Sequence, residues 1–293
     1  MMTREASWRS PDLGVGQEIA LAEGRLRVFS SGTGPAIVFA HGRLANANLW
    51  RKVVPRLAGQ YRCVVLDLPL GAHTVAMNAN ADLTPTGCGR LIAQSLKALD
   101  LSDVTLVGND SGGAYSQIAT AGDSARVARL VLNACETPYD PFPPTAFQAL
   151  VSAAQSPGAL RTMLQPLRER AIRMSEAAFG RLAKRPLADD ASDSYCLPVL
   201  EDDGVLADVE KVMGSASQNY VQEAGETLIK SFRGPVLFAC AAEDNFFPLE
   251  NARRYARELK QARVEIIPDA FSFTPEDQPR LLAEAIARFA GGG

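Results

Sequence analysis

Asp110, set between glycines in Gly108-Asn109-Asp110-Ser111-Gly112, is the group in this chain best framed by its neighbours to do chemistry. It follows residues 104–107, a short apolar and largely β-branched run of the kind that forms a strand buried on both faces. Glycines two residues before and two after the carboxylate give the spacing of an elbow. In such a strand-to-helix turn the central residue is strained and held out above the sheet. The flanks must lack a Cβ because the two backbones pass too close for one. A carboxylate displayed this way can attack carbon as a nucleophile or move a proton as a general acid/base. Ser111 is the competing centre, but its flanks would be Asn109 and Gly113, so the leading glycine is missing. A plainer reading makes Asp110 the N-cap of a helix over residues 111–121.

The chain has 293 residues, enough for one large α/β domain with an inserted subdomain. A hydrophobic content of 47% and a charged content of 22% are those of an ordinary globular enzyme. A net charge of −3 argues against nucleic acid as a partner, and no apolar run approaches a membrane span. Residues 1–12 carry charges and Trp8 without an apolar stretch, so they do not read as a signal peptide. Five scattered cysteines, Cys63, Cys88, Cys135, Cys196 and Cys240, read as buried free thiols and point to a cytoplasmic protein. With two histidines in the chain and no Cys/His spacing that suits zinc, neither a metal nor a cofactor is expected. The expected partner is a small-molecule substrate; a homodimer stays open.

The elements that must hold Asp110 in place follow from apolar runs and turn residues. Residues 25–30 alternate and read as an edge strand. Residues 36–40, 63–67, 104–107, 129–133, 235–240 and 263–267 read as buried strands. Helices are expected over 46–58, 85–99, 111–121 and 278–290, so strands separated by helices imply parallel βαβ units with right-handed crossovers. From about 136 to 230 the strand signal vanishes and helix-like windows such as 165–183 take over. This gives an α/β core of residues 1–135 and 231–293 with a helical cap of 136–230. The closing run Gly291-Gly292-Gly293 reads as disordered.

Five landmarks then stand in order: His41-Gly42 after the third strand, the elbow at Asp110, the helical insert, Asp244 after a late strand, and Pro268-Asp269-Ala270-Phe271-Ser272-Phe273 before the last helix. In this order they resemble the α/β-hydrolase superfamily, in the capped, Asp-nucleophile branch of haloalkane dehalogenases and epoxide hydrolases. The resemblance runs from about residue 18 to about residue 290. The segments from Asp67 to His73 and from Gly108 to Gly113 also look like bacterial proteins described loosely as α/β-fold hydrolases. The resemblance implies a mostly parallel eight-stranded sheet flanked by helices, with a helical cap inserted late. It further implies that Asp110 attacks a carbon to form an alkyl-enzyme ester, and that a histidine oriented by Asp244 activates the water that cleaves it.

The chain departs from the family at that histidine. The family pattern is close to Asp-Ala-Gly-His-Phe, whereas here Phe271 stands for the glycine and Ser272 for the histidine. No histidine follows His73. A serine hydroxyl does not take a proton at neutral pH, and general-base assistance contributes on the order of 10²–10⁴-fold. Of the two histidines, His41 reads as shaping the oxyanion loop, with a place in the pocket as the alternative. His73, on the same sheet edge, reads equally as an acid/base group or as an ordinary loop residue. In the family the oxyanion donors are backbone N–H groups, here those of Arg43 and Ser111. The Arg43 guanidinium could hold a phenolate, enolate or carboxylate, or could face solvent. Trp50 is a candidate pocket wall or helix-core residue. Phe246, Phe247, Phe271 and Phe273 suggest an apolar, aromatic-binding pocket in which a buried Asp110 has a raised pKa.

The catalytic candidates are therefore Asp110, Asp244, His73 and Ser272. The substrate-binding candidates are His41, Gly42, Arg43, Trp50, Ser111, Phe246 and Phe271. Three functions stay open. The first is an atypical enzyme using Asp110 as acid/base in a non-hydrolytic reaction such as cyclisation, dehydration or decarboxylation of a small hydrophobic, aromatic or polyketide-like metabolite. The second is a hydrolase of an ester, epoxide or halide with a substitute base. The third is a non-catalytic ligand-binding protein.

Overall fold

The computed structural model describes residues 8–292. Residues 1–7, within the stretch read as lacking a leader, and Gly293 of the terminal glycines lie outside the described residues. Gly291 and Gly292 form the turn that closes the last helix.

Eight strands form one sheet: β1 (Val15–Leu21), β2 (Gly24–Ser31), β3 (Ala36–Ala40), β4 (Arg62–Asp67), β5 (Val104–Asn109), β6 (Val127–Asn133), β7 (Val236–Ala241) and β8 (Ala262–Ile267). Their order is β1-β2-β4-β3-β5-β6-β7-β8. The β1–β2 and β2–β4 pairs are antiparallel and all others are parallel. Strands β4, β5 and β7 are buried along almost their whole length, which is why they read as unbroken apolar runs. The strand over residues 25–30 is not an edge, because β1 lies outside it and takes the edge position. β1 is exposed at most of its positions, so no hydrophobic pattern announces it.

The helices outside the long insert are α1 (Val54–Leu57), α2 (Pro85–Ala98), α3 (Ser111–Gly122), α11 (Leu249–Glu258), α12 (Thr274–Asp277) and α13 (Pro279–Ala290). Between β6 and β7 the elements are α4 (Gln148–Ala154), α5 (Ala159–Leu164), α6 (Arg170–Arg173), α7 (Asp189–Cys196), α8 (Pro198–Glu201), α9 (Asp203–Gly214) and α10 (Gln218–Ser231), with short 3₁₀ turns. α2 starts where Pro85 occupies its first turn and the Thr84 hydroxyl caps the Gly87 N–H. Two expected helices are broken. Over 46–58, Asn46 caps a 3₁₀ turn (Ala47–Trp50), and α1 begins afresh with Pro55 in its first turn. Over 165–183, Pro166 opens a 3₁₀ turn, only four residues are α-helical, and a second 3₁₀ turn follows.

Successive strand residues point to opposite faces, so the sheet has two cores. Ile37, Phe39, Val65 and Val107 pack with Trp50 and α13 on one face. Val38, Val64, Leu66 and Leu106 pack with α2 and α3 on the other. The insert has a cluster of its own around Leu160, Leu164, Val199, Val205, Val209 and Met213. It is tied to the sheet by a buried ion cluster. Glu276 of α12 accepts from both terminal nitrogens of Arg51, from Lys52 Nζ (2.8 Å) and from Tyr195 Oη of α7 (3.0 Å). All five cysteines are buried and free. Among the described residues no helix is long and apolar enough to cross a membrane.

Candidate active site

Asp110 sits between β5 and α3 with φ 54° and ψ −141°, a left-handed-side conformation that a non-glycine residue adopts only under constraint. The constraint is close packing. A Cβ on Gly108 would lie 2.5 Å from the Gly112 carbonyl oxygen, and one on Gly112 would lie 2.5 Å from that of His41. Asp110 is also the N-cap of α3, its Oδ1 accepting from the Ser111 N–H, so the elbow and N-cap readings are both correct. Gly42 leaves room for the carboxylate, since a Cβ there would stand 2.6 Å from Asp110 Oδ1.

The carboxylate faces a cavity of about 270 Å³ between the sheet edge and the helical insert. Its polar lining is Arg43, Asp110, Ser111 and Glu136, with Glu176 and Arg181 further out, and its apolar wall is made by residues such as Leu44, Phe147, Leu150, Leu167, Met213 and Phe246. Phe246 packs against Phe147, ring centroids 4.9 Å apart, and the Arg181 guanidinium lies 4.9 Å from the Phe246 ring centroid. Arg43 is held by three contacts. Its backbone N–H donates to Ser111 Oγ (2.9 Å), its Nε donates to Tyr115 Oη (2.8 Å), and its guanidinium lies 4.2 Å from the Phe142 ring centroid.

Glu136, three residues beyond the end of β6, is buried in the same cavity with Oε2 lacking a partner. Burial, and next the charge of Asp110, push its carboxyl well above the usual range, against the opposing pull of Arg43. Burial also raises Asp110, but the Ser111 N–H and Arg43 favour its ionised form. Both carboxyls are raised and Glu136 is raised further, so Asp110 is the group that ionises first. Sequence reasoning missed Glu136. The available signal was a carboxylate just past the carboxyl end of a central strand, where α/β sheets gather their functional groups.

Other candidates lie elsewhere. Asp244 and Ser272 pair with each other: Ser272 Oγ donates to Asp244 Oδ1 (2.9 Å), which also accepts from the N–H groups of Phe246 (2.8 Å) and Phe247 (3.0 Å). Ser272 is fully buried and does not line the cavity. Burial pushes Asp244 up to about 6, and its Oδ2 has no partner.

His73 does not reach the cavity. Its Nε2 lies 3.3 Å from Asp208 Oδ2 of α9, and its Nδ1 accepts a long bond from the Gly71 N–H. His41 is structural. Its Nε2 accepts from the Leu68 N–H (2.9 Å), so Nδ1 carries the proton to the Gly42 carbonyl (2.8 Å), and burial lowers its pKa to about 4. Trp50 is sealed in the core against Phe39, centroids 4.9 Å apart, rather than in the pocket. Phe271 stays outside the cavity, its N–H donating to Asp277, and Phe273 packs between Phe179 and Tyr195. Of the four phenylalanines expected around the pocket, Phe246 alone lines it.

This sheet order, with an acid on a strained turn beneath a helical insert, defines the α/β-hydrolase architecture. Residues 35–279 match the family model described as alpha/beta hydrolase fold, and the chain belongs to that family. It is 22% identical over 263 residues to an uncharacterized hydrolase, YugF, of Bacillus subtilis, covering 86% of this chain and 89% of that protein. It is 33% identical over 91 residues to a haloalkane dehalogenase of Agrobacterium fabrum, a match spanning 31% of this chain and 29% of that enzyme. Among solved structures, the haloalkane dehalogenase DbeA from Bradyrhizobium elkani superposes with a TM-score of 0.78 at 17% identity, covering 95% of this chain and 98% of the other. The epoxide hydrolase CorEH gives 0.77 at 15% identity, covering 94% and 98%. At such identities the structural likeness speaks for the fold alone.

Proposed function

We propose that the protein is an atypical family member that performs acid–base chemistry on a small hydrophobic metabolite, in a reaction needing no water nucleophile, such as a cyclisation, dehydration or decarboxylation. Asp110 is the base and Glu136 the acid. The observation that carries this reading is the occupancy of the base position. Ser272 stands there bonded to Asp244, both histidines are engaged away from the cavity, and the buried carboxyl that shares the cavity with Asp110 is Glu136, while Glu176 lines it from an exposed position. A carboxylate base beside a protonated carboxyl can take a proton from one atom of a bound molecule and return one to another. The apolar wall keeps both groups short of water, which sustains their raised proton affinity. Ordinary hydrolysis through an Asp110 ester is the second reading. The strained elbow and the dehalogenase relative favour it, and it requires a base, for which the cavity offers the carboxyls of Glu136 and Glu176.

The test uses a small aromatic ketone, phenylacetone, in heavy water, beside a panel of 4-nitrophenyl acetate, styrene oxide and 1-bromobutane. Saturable deuterium uptake at the ketone's α-carbon is expected, falling on the order of 10²–10⁴-fold in Asp110→Asn. No member of the panel should be turned over. Sustained hydrolysis of any of them without ketone exchange sinks the proposal in favour of the second reading.

A further inference from the structure

The two backbone donors beside the elbow are both in use. The Arg43 N–H donates to Ser111 Oγ, and the Ser111 N–H donates to Asp110 Oδ1. An oxygen that becomes anionic in the cavity finds neither of them open. The Arg43 side chain is situated differently. It lines the cavity, Tyr115 Oη fixes its Nε, and the Phe142 ring supports its plane, yet its Nη2 is buried without a hydrogen-bond partner. An unmade bond to a buried charged donor is costly, so Nη2 is a donor that a ligand oxygen entering the cavity can satisfy. Burial opposes the charge of Arg43, but Tyr115, Glu136 and Asp110 together hold the guanidinium above its ordinary pKa.

We infer that the Arg43 guanidinium, and not the backbone pair, is the group that holds the substrate's developing oxyanion, and that the substrate is a small, apolar, enolisable carbonyl compound rather than an ester. This rests on the acid–base reading of Asp110. Asp110 takes a proton from the carbon next to the carbonyl. The C–H pair becomes the new C=C bond, and the carbonyl π pair moves onto oxygen, where Arg43 meets the charge. The enolate is then reprotonated or expels a leaving group that takes the Glu136 proton. A fixed donor aimed at charge that develops during reaction is the most effective kind of stabilisation an active site can offer. The cavity of about 270 Å³ suits a small molecule.

The test is a binding experiment with 4-nitrophenol, whose coloured phenolate is a stable mimic of an enolate. It is run on Asp110→Asn, where the amide stands for the protonated base and no longer repels an anion. The bound phenol should ionise more readily than the free one. Adding Arg43→Met should weaken phenolate binding about tenfold to a hundredfold, and Arg43→Lys should recover part of the loss. The neutral 4-nitrotoluene should bind all three alike, reporting an intact cavity. Phenolate bound equally tightly by the Met variant, with 4-nitrotoluene retained, overturns the assignment. If the Met variant loses both ligands, the Lys variant decides: a kept preference for phenolate supports the role of Arg43, and a lost one overturns it. Failure of the acid–base reading registers separately, as a wild-type protein that takes up no deuterium into phenylacetone while the Arg43 dependence of phenolate binding is unchanged.

Discussion

Exchanging Asp244 for Asn tests whether Asp244 has left the chemistry, as its pairing with Ser272 implies, and the structure gives the size of the effect. Asp244 Oδ1 accepts three hydrogen bonds, from the Phe246 N–H, the Phe247 N–H and Ser272 Oγ, and Oδ2 is buried with none. An asparagine can accept all three through its own Oδ1. Burial holds the Asp244 carboxyl near 6 in the folded protein, against an ordinary 3.8. An acid whose folded pKa lies above its unfolded value favours the folded state while protonated. Its stability contribution is therefore fully present below pH 3.8 and lost as the pH rises through 6. A gap of about 2 units at ~1.4 kcal/mol each sets an upper bound of ~3 kcal/mol on that loss. The new amide nitrogen inherits the unpartnered position, which costs ~1–3 kcal/mol, so the gain at neutral pH shrinks to ~0–2 kcal/mol. The slope is the cleaner signature. Urea unfolding at pH 4 and pH 8 should show the wild type losing stability between them and Asp244→Asn losing less. Ketone exchange by the variant should stay within a few-fold of wild type, because Asp244 orients no imidazole. In a triad cycle the same acid-to-amide change removes about 10⁴-fold of the rate. A thousandfold loss of exchange in a fully folded variant, or an unchanged pH slope, refutes the reasoning.

Two other substitutions probe the surroundings. His73→Ala should leave exchange intact and weaken folding by about 1–2 kcal/mol, since it removes two long bonds, one to Asp208 and one from the Gly71 N–H; a hundredfold loss of exchange would restore His73 as a catalytic group. Arg9→Ala should destabilise the fold by about 3–5 kcal/mol in urea titrations, because Asp67 would stay buried without the guanidinium that now lies 2.7 Å away. A loss under 1 kcal/mol would show that water or a neighbour replaces the arginine.

Much of the core was legible because buried parallel strands leave unbroken apolar runs, as in Cys63 to Leu66 and Val104 to Val107. β1 was not, since a mostly exposed edge strand carries no apolar pattern of its own. The helix expected over 46–58 failed for a local reason: Asn46 and Pro55 each start a separate turn. At the site, Asp110, Arg43, Ser111 and Phe246 were readable because short motifs place them on the sheet edge. Glu136 belongs to no motif, and only the fold brings it to the cavity of Asp110. For His73 and Trp50 the sequence left a pocket role and a packing role open, and the structure takes the packing role for both. Their position near the right edge said nothing of Asp208 or Phe39, which hold them elsewhere.

The central claim is that Asp110 moves protons and is never esterified. It is tested most directly by incubating the protein with 1-bromohexane and with phenyl glycidyl ether in oxygen-18 water, then weighing the peptide that carries Asp110. An ester formed and cleaved there would exchange a carboxylate oxygen at every turnover. The peptide is expected to keep its natural mass, with no adduct at any time. Incorporation of oxygen-18 into Asp110 would contradict the claim and make this chain a hydrolase that has found another base.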